Sequence, residues 1–141
     1  MIETKKSQLE EQIIGVLSAN QVCSFGTIDG NKPKVRYMAL FHDGLTIYLA
    51  TNKKTDKVEE LQENPHVHIL VGYDGKATPN ILQIQATAKI SSDNALREKL
   101  WNDEMKEWFD GPHDPNYVVM DISPSYIEYS SKDSEPQIWT K

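Results

Sequence analysis

Cysteine is all but absent. Cys23 is the only one among 141 residues, which excludes an internal disulfide and a cysteine-based zinc site. Arginine is nearly as scarce, with Arg36 and Arg97 alone. No apolar run approaches the length needed to span a bilayer, and no charged-then-apolar signal opens the chain. The expectation is a cytoplasmic protein with no membrane partner. An excess of positive charge is missing too: the formal net charge is -6 and the pI about 5.2, so the surface repels polyanions and nucleic acid is not an expected partner. A local basic pocket for one small phosphate remains compatible with an acidic whole. A third ligand to join His66 and His68, which share one strand face, is not evident, so no metal is expected. Ser24, His42 and an acid form a hydrolytic triad only on paper, because no G-x-S-x-G turn supports them.

What is present fits one compact domain spanning residues 1–141, since 38% hydrophobic content in a chain this short supports a single core. Ser7-Gln8-Leu9-Glu10 has the capping-box form and precedes Leu9, Ile13, Ile14, Val16 and Leu17, which predicts an amphipathic helix ending near Asn20. Val22 to Ile28 reads as a strand and Asp29-Gly30-Asn31 as its turn. In the next run Val35, Tyr37, Ala39 and Phe41 face one way and Arg36, Met38, Leu40 and His42 the other. Apolar groups on both faces predict a strand that is central in a barrel or covered by a second subunit.

Arg36 to Lys57 carries the densest signal. Asp43-Gly44 between two β-rich runs predicts a hairpin, in which Arg36 lies roughly opposite the Thr51 end. Thr51, Asn52, Lys53, Lys54, Thr55 and Lys57 then gather hydroxyls, an amide and ammonium groups where a strand passes into a helix, a setting that suits a phosphate. The plainer alternative is a solvated helix start with Thr55 or Asp56 as its cap. Pro65 should end that helix at Asn64.

Two further extended runs, His66 to Tyr73 and Ile81 to Ile90, flank the polar loop Asp74 to Asn80. Asp93 can cap a helix carrying Leu96, Leu100 and Trp101. Trp101, Met105 and Trp108 fall at helical spacing and form one stripe if that helix runs on; such a stripe reads as core or subunit interface, with the option of covering a planar ligand. Tyr117 to Ile122 is a strand that Pro124 separates from a last run, Tyr126 to Tyr129. A meander of short strands with helical interruptions suggests an antiparallel barrel, because closure removes exposed edges.

The segments R-x-M-A-L-F, A-T-N-K-K-T-D-K leading to L-Q-E-N-P, and W-N-D-E-M-K-E-W-F-D-G-P stand in an order and spacing that cover nearly the whole chain. In these the sequence resembles the FMN-binding split-barrel family related to pyridoxamine 5'-phosphate oxidase, and more closely its general stress protein branch. The resemblance implies a mainly β (α+β) fold, a six-stranded antiparallel split β-barrel with flanking helices, forming a homodimer with FMN in clefts between the subunits. By position, the family's phosphate-binding arginine falls on Arg36, its strand-end hydroxyl on Thr51, with Asn52 beside it, and its helix-start serine and lysine on Thr55 and Lys57. Tyr37, Met38 and Ala39, and the run on to Phe41, would lie along the ring system. Gln83 corresponds to the ring-contacting glutamine. Trp101 is similar in placement to an aromatic that reaches the cleft from the partner chain. Asp56 departs from the oxidases, which carry a basic residue there, and should point away from the phosphate. The substrate-binding arginine-histidine motif of the oxidases has no counterpart in the tail Ser131 to Lys141. The resemblance therefore implies an FMN-dependent oxidoreductase acting on another substrate, a flavin-binding stress-response module without turnover, or, as among some relatives, a barrel that holds haem or deazaflavin. No catalytic residue is assigned.

Overall fold

Strands in which every second side chain is apolar bury one face, and here they curl around that face. The computed structural model of the chain describes residues 4–72, 80–132 and 134–141. Tyr73 and the loop as far as Pro79 therefore lie outside the described residues. In Val22–Asp29 (β1), Cys23, Phe25 and Thr27 point inward. The same alternation runs through His66–Val71 (β5) and Ile81–Ser91 (β6). With Lys32–Ala39 (β2), Phe41–Asp43 (β3), Thr46–Asn52 (β4), Tyr117–Ser130 (β7) and Gln137–Thr140 (β8), the described residues form one antiparallel sheet ordered β2-β1-β5-β6-β7-β4-β3, with β8 on β7. The fold is a split barrel with flanking helices. The two extra strands beyond six arise because β2 and β3 are one run broken at Leu40, and because the short β8 is added to β7.

That break corrects two expectations. Leu40 donates its backbone N–H to Gln21 O at 2.9 Å and buries its side chain in the core, so the run changes partner there. β3 pairs with β4 through the Asp43-Gly44 turn, where Gly44 takes φ 59, a conformation glycine adopts without strain. β2 pairs instead with β1, with Arg36 opposite Phe25 rather than opposite Thr51. β2 also ends the sheet order instead of lying at its centre. Val35 and Tyr37 are 70% and 81% exposed on its outer face.

β7 corrects a third. Pro124 does not interrupt it, because pairing with β4 stops at Ile122 and pairing with β8 starts at Tyr126. The missing N–H falls in the gap between them, and the register against β6 shifts at Gln85/Ala86 to take up one extra residue. Tyr117, Val118, Val119 and Met120 are all buried. β7 is thus covered on both faces at this end: Met120 and Ile122 join the main core, Tyr117 and Val119 a smaller cluster with Leu100, Met105 and Phe109.

Helix Lys5–Ala19 (α1) packs Leu9, Ile13, Val16 and Leu17 into the main core. Its cap is Thr4, whose hydroxyl accepts from Ser7 N at 3.0 Å, and not Ser7 itself. Helix Asp56–Glu63 (α2) starts after Thr55 and ends before Asn64-Pro65 as the proline requires. Helix Asn94–Leu100 (α3) is capped by Asp93, which accepts from Leu96 N at 3.0 Å. It stops at Trp101, and a separate 3-10 turn, Asp103–Glu107, follows. The three-residue stripe is therefore not formed: Met105 is buried, Trp101 half-buried and Trp108 exposed. No helix among the described residues is long and apolar enough to cross a membrane.

One buried carboxylate ties α2 to the β1–β2 ribbon. Glu60 is 5% exposed. Its Oε2 accepts from Thr27 Oγ1 at 2.7 Å and pairs with Arg36 Nη2 at 3.3 Å, and its Oε1 lies 3.0 Å from Lys34 Nζ. Burial alone would push this carboxyl up, but Thr27, Lys34 and Arg36 together outweigh it and hold it below the usual carboxylate range. A carboxyl whose folded value is depressed stabilises the fold above its unfolded value of about 4.3, and that stability is lost as pH falls through the lower folded value. Glu60→Gln should lower unfolding stability near neutral pH by about 1–3 kcal/mol. Urea melts across acidic pH should also show the variant losing less stability than the wild type as pH drops.

Candidate functional site

The strand break at Leu40 opens a cleft of about 550 Å³ beside the smaller apolar cluster, within the size range of pockets that hold small ligands. Tyr37, Met38, Ala39 and Phe41 line it from β2 and β3, and Ala50, Thr51 and Asn52 from β4. Thr55 and Lys57 close one end. Asn102, Glu104, Met105, Trp108 and Phe109 form the facing wall.

The closed end is a tight turn. Asn52 Oδ1 accepts from Lys54 N at 2.9 Å, and Asn52 O accepts from both Thr55 N at 3.0 Å and Thr55 Oγ1 at 2.9 Å. This sets Thr55 Oγ1 3.3 Å from Thr51 Oγ1. Thr55 makes no side-chain bond to the first turn of α2, where Asp56 and Glu59 already face the positive end of the helix dipole. Lys57 is half-buried and takes part in no ion pair among the described residues. Burial first, and then the Arg36 charge, hold its ammonium below the ordinary lysine range. A half-desolvated cation in no close ion pair, with Glu60 and Asp56 acting on it only at a distance, beside two hydroxyls and a helix N-terminus, suits an anion such as a phosphate monoester.

Of the residues singled out in the sequence, Tyr37, Met38, Ala39, Thr51, Asn52, Thr55 and Lys57 meet along this one cleft. Arg36 does not line it. Its guanidinium donates to Thr27 Oγ1 at 2.6 Å and pairs with Glu60. Gln83 lies on β6, where it bonds His68 Nε2. Trp101 packs on Tyr117 with ring centroids 5.8 Å apart. Neither lines the cleft of its own chain. Asp56 borders a separate acidic hollow with Asp29, Lys34, Glu59, Glu60 and Glu63, away from the cleft.

Trp108 is the lining residue that spacing alone misplaced, because a continuous helix would have put it beside Trp101. Asn102-Asp103 was the available signal: Asn102 Oδ1 accepts from Glu104 N at 3.0 Å and starts a new turn, which carries Trp108, 74% exposed, to the cleft. Burial pushes the Cys23 thiol up to about 12, His42 bonds Ser18 Oγ and Gly44 O, and no cluster of three metal-ligating side chains occurs among the described residues.

An anion in the cleft should couple to Lys57 titration with a definite sign. The charged ammonium is the form that binds, so affinity for a phosphate monoester should fall as pH rises through the depressed Lys57 value, and the Lys57 value should rise on binding. Carbon NMR of labelled lysine with and without inorganic phosphate measures both; an unmoved Lys57 signal would remove it from the anion site.

A curled antiparallel sheet, one polar-ended cleft and a short aromatic wall define a protein of the split-barrel class. Residues 9–131 match the family described as pyridoxamine 5'-phosphate oxidase, and the chain belongs to that family. It is 41% identical over 123 residues to general stress protein 26 of Bacillus subtilis, covering 86% of this chain and 88% of that protein. The crystal structure of general stress protein 26 from Bacillus anthracis superposes with a TM-score of 0.85 at 29% identity, over 95% of this chain and 99% of that one. A pyridoxamine 5'-phosphate oxidase-related, FMN binding protein from Nostoc punctiforme shares the fold at 13% identity, with a TM-score of 0.75 over 100% of this chain and 93% of that one.

Proposed function

We propose that this chain binds FMN in the cleft and works as a flavin-dependent oxidoreductase, with a second protomer completing the site. The observation that carries this reading is the pairing of one half-buried cation that forms no ion pair among the described residues, Lys57, with a cleft lined mostly by apolar side chains. Thr51, Thr55 and Lys57 fit the phosphate of such a group, and Met38, Phe41, Met105, Phe109 and Trp108 offer the apolar surface that a fused ring needs. When bound, the flavin supplies the electron transfer itself. The chain's own residues have the simpler tasks of neutralising the phosphate, aligning the ring and excluding water. Arg36 acts at one remove, through its charge on Lys57, while remaining paired to Glu60. The Nostoc punctiforme protein lends support by its name alone.

The dimer reading rests on the outer face of β2 and β1. Val22, Val35 and Tyr37 are exposed there, and Tyr37 also lines the cleft. A two-fold partner covering this face would cover the cleft mouth as well.

The purified protein should bind FMN with loss of free flavin fluorescence. Lys57→Ala should weaken FMN about tenfold, or about 1.4 kcal/mol, and leave riboflavin nearly unchanged; equal losses for both ligands would sink the phosphate assignment. Anaerobic NADH or NADPH should bleach the bound flavin, whereas a carrier without turnover stays yellow. Sedimentation should show a dimer that FMN stabilises by mass action, and a monomer with full FMN affinity would overturn the shared site.

A further inference from the structure

We propose that Arg97 is a positioning residue that fixes the 102–109 wall of the cleft. The segment from Trp101 to Asn116 carries Asn102, Glu104, Met105, Trp108 and Phe109 to the ligand side, with a five-residue 3-10 turn as its only helix or strand. A stretch with so little regular structure does not hold a wall in place by its own backbone ladder. At the near end the helix's own backbone bond, Trp101 N to Arg97 O at 3.1 Å, joins the segment to α3, and the Arg97 side chain then holds its far end. At the far end its Nη1 donates to Asp114 O at 3.0 Å and to Tyr117 O at 3.2 Å. Nη2 donates to Asn94 on α3. The clamp is reciprocal, because Tyr117 OH donates back to Arg97 O at 2.9 Å. Burial pushes the Tyr117 phenol up, so it stays a donor. The Tyr117 ring in turn lies 5.1 Å from Phe109 and 5.8 Å from Trp101, which carries the clamp to the cleft-lining side.

The energetics argue against a mere packing role. Arg97 is 8% exposed, its Nε has no partner, and no carboxylate pairs with it among the described residues. A buried charge held by carbonyl oxygens and the face of the Tyr117 ring, with no carboxylate paired to it, is an expensive way to fill space, and an apolar side chain of similar length would fill it as well. Only the guanidinium fork reaches the Asp114 and Tyr117 carbonyls and Asn94 at once.

The wall can be watched directly by fluorine NMR of fluorotryptophan-labelled protein, with Trp108 assigned through Trp108→Phe. In Arg97→Met the Trp101 and Trp108 signals should shift or broaden while Trp139 stays put, and Arg97→Lys should fall between Met and the wild type. Ile13→Val, in the main core far from the wall, controls for lost stability and should leave Trp108 unmoved. On the flavin reading, Arg97→Met should weaken FMN and riboflavin alike by about tenfold, unlike Lys57→Ala, because the wall meets the ring and not the phosphate. An unmoved Trp108 in a folded Arg97→Met, or the same movement in Ile13→Val, overturns the proposal. If Arg97→Met fails to fold, Arg97→Lys against Ile13→Val decides by the same signals. A wild type that binds no flavin would defeat the flavin reading, while the fluorine signals still judge the wall.

Discussion

Leu40 has one backbone donor and one apolar side chain to place, and the cleft exists because it places both off the strand line. Its N–H goes to Gln21 O and its side chain to the core. The run from Lys32 to Asp43 thereby serves two partners in succession, β1 and then β4. A straight hairpin would have closed the space between Met38 and Thr51 with ladder bonds. The break leaves that space lined by side chains and roofed by the 102–109 segment.

Charge is distributed with the same economy at α2. Five cations stand near this helix in an acidic protein: Lys34, Arg36, Lys57 and the exposed Lys53 and Lys54. Lys34 and Arg36 are taken up by Glu60 on the face turned to β1 and β2, while Lys57, half-buried on the cleft side, forms no ion pair among the described residues. Asp56 and Glu59 sit by the acidic hollow instead. One helix thus carries a structural ion cluster on one side and, on the other, a half-buried ammonium in no ion pair among the described residues. An anion in the cleft need not break any bond that holds the fold.

β7 shows how a long strand can belong to two cores. Its first residues are buried on both faces because the 3-10 segment covers the side away from the barrel. Pro124 survives in it because neither β4 nor β8 asks for a bond there. Covering the outer side of β7 and walling the cleft are therefore one task of the same segment.

Much of this was legible in the residues themselves. Asp43-Gly44 dictated a turn, Pro65 ended α2, Asp93 capped α3, and the 51–57 stretch marked a strand-to-helix junction, since each signal acts within a few residues. The motif order across the chain pointed to the split barrel. What depended on long-range contacts was decided only in three dimensions. Arg36 looked like a cleft residue until Glu60, far along the chain, claimed its guanidinium. Trp101 and Trp108 looked like one stripe until Asn102 began a second turn. Pro124 looked like a strand end until the pairing gap accommodated it. Spacing along the chain reports local geometry, but the partner of a charge, or the end of a ladder, is chosen by whichever distant segment packs against it.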